Sequence, residues 1–278
     1  MAVPGHTFLP VTTIAVLGTG HMGTPIARRL LTAGHVVTVW NRTSTRTAAM
    51  REAGARVADS PADAVDGADL VITLLTDEAA LDAVLFGPGG AARVLRPGSC
   101  LVQMSTVSPG AVRDLARRLP DGVDIVDAPV AGSVGAASAG TLTVLAGGEA
   151  SVLERLNPVL TVLGRVRCCG GIGDGAAMKL VLNTALVTAM AALVDTLAVA
   201  HALGMDRDTA LAALTAGPLG GAVERATAEG VSFAVALAGK DLGLALTELG
   251  DAPAPVACAA ARVLAAAPDR TADIASLI

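Results

Sequence analysis

From Thr12 to about Gly148, short runs of β-branched and aliphatic residues alternate with longer alanine-rich runs in which apolar positions recur every three to four residues. The segments "TTIAVLG", "HVVTVW", "LVITLL", "CLVQMS" and "VDIVDAPV" read as strands bounded by Gly, Asp or Pro. "TPIARRLLTAG" and "SPGAVRDLARRL" have the length and period of helices. Such alternation predicts a doubly wound parallel sheet covered by helices on both faces. "GTLTVLAGGEA" adds a strand and "SVLERLNPVLTVLG" a helix. After Gly175 the strand pattern stops, and runs of Ala, Leu and Val separated by "GMD", "AGPLGG" and "GDAPAP" predict several helices, the first one long. The expected organisation is an α/β domain over residues 1–172 and an all-helical domain over 173–278, with about ten loose residues at the N-terminus.

Two polar interruptions carry chemistry. The segment "GDGAAMKLVLNTAL" places Lys179 in a greasy helical run with Asn183 four residues on, so the ammonium and the amide share one helix face. Near the N-terminus, "IAVLGTGHMGTPIARRL" holds Gly18, Gly20 and Gly23 as G-x-G-x-x-G between a strand and a helix. There the first glycine permits a tight turn, the second lets a pyrophosphate approach the backbone, and the third packs helix on strand. The helix N-terminus supplies N–H groups and a positive dipole end for phosphates, so a Rossmann-like dinucleotide site is expected. His21 and Met22 inside the loop, and Leu75 after "LVITLL", join the candidate cofactor contacts. About twenty residues beyond the loop an NAD-selective site places an acid. Here that position reads Asn41-Arg42-Thr43, which removes repulsion of a 2′-phosphate and offers a guanidinium to it, with Arg46 a further candidate. NADP(H) is therefore expected over NAD(H).

Composition narrows the partners. A net charge of −5 leaves no basic footprint for nucleic acid, and three Phe, one Trp and no Tyr leave little to stack bases on. The four cysteines show no CxxC spacing or accompanying histidines, which argues against a zinc site or disulfide framework; reduced, mostly buried thiols are expected. "MAVPGHTFLP" lacks a basic n-region, so no signal peptide and a cytoplasmic location are expected. The apolar stretch from Leu180 to Met205 is broken by Asn183, Asp195 and His201 before reaching the roughly 18 to 20 residues of a membrane span. It reads as a helix buried on most sides within protein, and its all-round apolar character predicts a homodimer.

Five motifs in order, "GTGHMG", "MSTVSP", "DAPVAGSVGAASAGTLTVLAGG", "GDGAAMKLVLN" and "GKDLGLAL", resemble the β-hydroxyacid dehydrogenase family across nearly the whole chain. That family contains 3-hydroxyisobutyrate dehydrogenases and the glyoxylate, succinic and tartronate semialdehyde reductases. The resemblance implies a two-domain oxidoreductase acting on a small carbonyl or hydroxyacid, with its site in the cleft between the domains and pairing through the helical domains. It implies Lys179 as catalytic acid/base, with Gly173 and Gly175 at the glycine positions of its motif. Asn183 is implied as a substrate-holding amide, Thr106 as a cofactor-contacting threonine, and Lys240 as a lysine reaching the cofactor. An ammonium beside the nicotinamide donates a proton as hydride arrives and stabilises the developing alkoxide. Desolvation lowers its pKa and a bound carboxylate raises it again.

The substrate loop departs from the family's D-A-P-V-S-G-G. It reads Asp127, Ala128, Pro129, Val130, Ala131, Gly132, Ser133. Ala131 brings no hydroxyl, leaving backbone donors at Gly132 and Ser133 and the Ser133 side chain to hold a substrate carboxylate. Two other readings stand beside the dehydrogenase. An imine reductase shares the architecture without the lysine, and a non-catalytic dinucleotide-binding scaffold would be expected to have lost it.

Overall fold

The computed structural model describes residues 11–228 and 233–278. The N-terminal segment expected to be loose lies outside the described residues. The chain divides into two compact units, up to Ala176 and from Ala177 onward. Among the described residues the first is built on nine strands: β1 (Thr13–Leu17), β2 (Val36–Trp40), β3 (Arg56–Val57), β4 (Leu70–Thr73), β5 (Cys100–Gln103), β6 (Asp124–Asp127), β7 (Val130–Ala131), β8 (Leu142–Gly147) and β9 (Gly164–Gly170). Their order is β3-β2-β1-β4-β5-β6-β8-β7, with β9 paired to β8. β1 to β6 run parallel, and β8 is antiparallel to β6 and β7. The chain winds outward from β1 to β3, then crosses back to β4, so the topological switch falls between β1 and β4.

Successive strand residues feed opposite layers, because Cβ atoms alternate across a strand. Ile14, Val16, Ile72 and Val102 enter one core, and Ala15, Leu17, Val71 and Leu101 the other. That double burial is why β1, β4 and β5 read as continuous apolar runs. Trp40 ends β2 opposite Leu17, and its carbonyl accepts from Gly18 N at 2.8 Å, which starts the turn out of β1.

The second unit is helical: the greater part of Asp174–Ala202, then Arg207–Thr215, Gly220–Thr227, Val235–Leu249 and Pro255–Ala265. The first turn of the long helix belongs to the first unit, a few residues beyond the expected division at 172/173. Asp127 explains this. Its fully buried carboxylate accepts from Gly173 N at 3.1 Å and Ala176 N at 2.7 Å, satisfying N–H groups the helix start leaves open. Gly175 lies so close that a Cβ there would overlap the Leu145 carbonyl.

Two expectations need correction, and the burial expected of the long helix within protein is supplied only in part by its own chain. The long helix is not buried on most sides within its own chain. Val187, Met190 and Leu193 enter the helical core, but Val181, Leu182 and Val199 stand 63%, 40% and 59% exposed, and Leu203, just past the helix end, 76%. By length and mean hydropathy the helix reaches what a membrane span requires, although Asn183, Asp195 and His201 interrupt its apolar run. The cysteines are not mostly buried. Cys100 is, but Cys168 and Cys258 are exposed and Cys169 half-buried, because β9 is an edge strand and Cys258 lies on the outer face of its helix.

Candidate functional site

The glycine loop connects β1 to the helix Gly23–Thr32. Gly18 has φ +110°, and a Cβ there would overlap the Leu74 carbonyl; a Cβ on Gly23 would overlap the Gly18 carbonyl. Both glycines are thus demanded by the fold itself. Gly20 is different, since a Cβ on it would meet nothing within 4 Å and its φ is not positive. The protein alone supplies no reason for glycine at 20; a pyrophosphate lying on the backbone supplies one. His21 is exposed, and Met22 packs its side chain against the sheet core at the start of the helix.

Neighbouring strand ends are laced to this loop. Asn41 Oδ1 accepts from Thr19 N at 3.1 Å and its Nδ2 donates to the Thr43 carbonyl at 3.0 Å, so Asn41 holds the loop to the end of β2. Leu75 N donates to Ser105 Oγ at 2.8 Å, joining the segments after β4 and β5, with half-buried Thr106 beside the serine. The candidate residues 18–23, 41–43, 75 and 106 therefore lie together at the carboxyl ends of β1, β2, β4 and β5. A pocket of about 590 Å³ opens on the loop, lined by Thr19, Gly20, His21, Arg28 and Arg46 among others, with no acidic residue. Arg42 and Thr43 are exposed and outside its lining. Arg28 and Thr24, also in the lining, were passed over in the sequence because they lie inside a helix rather than at a strand end.

In the helical unit, half-buried Lys179 and buried Asn183 lie one turn apart on the long helix. Burial pulls the Lys179 ammonium below the usual lysine range; Asp241 opposes that and Lys240 reinforces it. Asn183 Nδ2 donates to Asp241 Oδ2 at 2.6 Å, and Lys240 Nζ lies 2.9 Å from Asp241 Oδ1. Lys240 is thus ion-paired with its chain neighbour. Asp241 went unnoticed in the sequence, although the signal that exposed Lys179, a charge inside an apolar helical run, is also present in "GKDLGLAL".

In the loop expected to receive a substrate, Ala131 pairs with Thr143 across β7 and β8. Gly132 adopts φ +137°, and exposed backbone there leads into Ser133. Ser133 caps the short helix Val134–Ala139, its Oγ accepting from Ala136 N at 3.1 Å. The hydroxyl oxygen expected to serve a substrate is therefore engaged in a cap.

Residues 13–173 match the family model described as the NAD binding domain of 6-phosphogluconate dehydrogenase. Residues 173–275 match that described as NAD-binding of NADP-dependent 3-hydroxyisobutyrate dehydrogenase. The chain belongs to the β-hydroxyacid dehydrogenase family. Among relatives, 2-(hydroxymethyl)glutarate dehydrogenase of Eubacterium barkeri is 32% identical over 262 residues, covering 90% of this chain and 87% of that protein. The human cytokine-like nuclear factor N-PAC is 33% identical over 262 residues, covering 90% of this chain but 47% of its own length. The chain thus spans about half the length of the N-PAC relatives it matches. Mycobacterium tuberculosis 3-hydroxyisobutyrate dehydrogenase with L-serine superposes with a TM-score of 0.85 at 30% identity, covering 96% of this chain and 98% of the other. A Myxococcus stipitatus imine reductase with NADP+ gives a TM-score of 0.69 at 26% identity, over 95% and 98%.

Proposed function

We propose that this β-hydroxyacid dehydrogenase family member moves a hydride between NADP(H) and a small 3-hydroxyacid/semialdehyde or 2-oxo acid, with Lys179 as general acid/base. The observation that carries the reading is Lys179 itself, half-buried with its pKa lowered and an amide one turn away. A lysine merely reaching for water would keep its full hydration.

The nicotinamide supplies and accepts the hydride. With the dinucleotide bound, an alcohol would be oxidised to its carbonyl compound as hydride leaves its carbon, and neutral Lys179 would take the hydroxyl proton. In reduction the ammonium returns it to the carbonyl oxygen and stabilises the growing negative charge. Gly20 and the helix N-terminus behind it would hold the pyrophosphate, and Arg46 and Arg42 would serve the 2′-phosphate. Backbone N–H groups at Gly132 and Ser133 receive the substrate carboxylate without a hydroxyl at residue 131.

The relatives' names support a narrower substrate class. 3-Hydroxyisobutyrate, 2-(hydroxymethyl)glutarate and L-serine share a hydroxymethyl group on the carbon that bears a carboxylate, and we expect substrates of that form. The imine reductase reading is weaker, since those structures superpose less well and the lysine is retained. The scaffold reading predicts NADPH binding without turnover.

The test is a spectrophotometric panel of hydroxymethyl acids, semialdehydes, 2-oxo acids and cyclic imines with NADP(H), run on the unmodified protein and two variants. Lys179→Ala should slow the chemical step about 10² to 10⁴-fold while leaving NADPH binding intact. Lys179→Arg should fail nearly as badly, since a guanidinium keeps its proton near neutral pH. An arginine variant close to the original rate would reduce Lys179 to an electrostatic clamp. Turnover of cyclic imines alone would move the chain to the imine reductases.

A further inference from the structure

Asp241 is a buried carboxylate in the helix Val235–Leu249, with a side chain only 4% exposed. A carboxylate so placed is costly unless it is paired and hydrogen-bonded. Its Oδ2 is satisfied by Asn183 at 2.6 Å. Its Oδ1 is buried and receives no aligned hydrogen bond, even though Lys240 Nζ is 2.9 Å away. Lys240, the adjacent residue on the helix, faces that oxygen as an ion pair. The buried charge is therefore held by one amide hydrogen bond and one ion pair, and the amide belongs to the residue one turn from Lys179.

We infer that Asp241 is a positioning residue for the Lys179–Asn183 pair: its carboxylate fixes the Asn183 amide and supplies the negative charge against which the Lys179 ammonium is held. This rests on the reading of Lys179 as general acid/base. A carboxylate only accepts hydrogen bonds, so the amide nitrogen of Asn183 must be the atom facing it. That orientation turns Asn183 Oδ1 away from Asp241. Three influences then bear on the proton at Lys179: burial desolvates its ammonium, Lys240 disfavours the charge, and Asp241 favours it. Without Asp241 the two remaining influences act in the same direction, and the lysine loses its proton at lower pH.

Two substitutions separate the tasks. Asp241→Asn keeps an oxygen that accepts from Asn183 and removes the charge; Asp241→Ala removes both. Lys179 is followed by NMR of the protein carrying ¹³C-labelled lysine, with its resonance assigned by Lys179→Ala, so that the titration is read without any substrate. The Lys179 midpoint should fall by about one pH unit or more in both variants. For the best substrate, the basic limb of the kcat/KM profile for reduction should move by the same amount. Asp241→Ala should additionally raise KM, since Asn183 is then unheld. An unmoved Lys179 midpoint in folded Asp241→Asn overturns the proposal. If the midpoint shifts but Lys179→Ala retains full activity, Asp241 does set the lysine's charge and the general-acid reading is what fails.

Discussion

Guanidinium groups at 42 and 46 bear on one question, whether a phosphate sits on the adenosine ribose. Sequence position favoured Arg42, at the end of β2; the folded chain places Arg46 in the pocket that opens on the glycine loop and leaves Arg42 exposed outside it. A lost charged hydrogen bond corresponds to about 1.5 to 3 kcal/mol, or roughly ten- to a hundredfold. Arg46→Ala should therefore weaken NADPH by that factor with little change for NADH, and Arg42→Ala should do so to a smaller extent. Titration of each variant with both dinucleotides decides it, and equal affinity of the unmodified protein for the two would remove the NADP assignment. At this scale the sequence marks residues whose type is incongruous, Lys179 in a greasy helix and Asn41 where an acid belongs, and the structure places the first half-buried and bonds the second to the glycine loop. The sequence was opaque where function depends on which side chain meets which. The Asn183–Asp241 hydrogen bond joins residues 58 positions apart, and the capping of Ala136 by Ser133 follows from a helix start too short to announce itself.

Elements with a strong period were legible, and those without one were not. β1, β2, β4, β5 and β8 are buried strands whose β-branched runs mark them. β3 has only two residues, and β9 is an edge strand reading GRVRCCG, in which exposed arginines alternate with half-buried positions. Neither offers an apolar run to recognise. The join between sheet and long helix was also hidden, because it depends on Asp127, at the end of β6, accepting from backbone 46 and 49 residues later. Asp127→Asn would turn an amide N–H₂ toward one of those N–H donors and leave it unsatisfied. Loss of about 1 to 3 kcal/mol of stability is expected from one buried unsatisfied donor. Urea unfolding followed by circular dichroism measures it, and an unchanged midpoint would show that the helix start holds without the carboxylate.

For the whole molecule, the long helix presents an imbalance. Its sequence is apolar all round, yet its own chain covers only the side bearing Asn183, Val187, Met190 and Leu193. Fully burying a Val or Leu side chain contributes about 1.5 to 3 kcal/mol, so leaving Val181, Val199 and Leu203 in water forgoes a large stabilisation. We expect a homodimer that covers them. Val199→Asp combined with Leu203→Asp should sediment as a monomer at micromolar concentration where the unmodified protein sediments as a dimer; an unmodified protein that is itself monomeric would end this expectation. The scarcity of aromatic residues has a different consequence for the molecule as a whole. With no tyrosine and a single tryptophan, its ultraviolet emission comes from one indole, Trp40, whose carbonyl is bonded to the first residue of the glycine loop. Reduced nicotinamide absorbs where tryptophan emits, so the chain carries its own energy-transfer donor one residue from Asn41, and dinucleotide occupancy can be followed optically without a label.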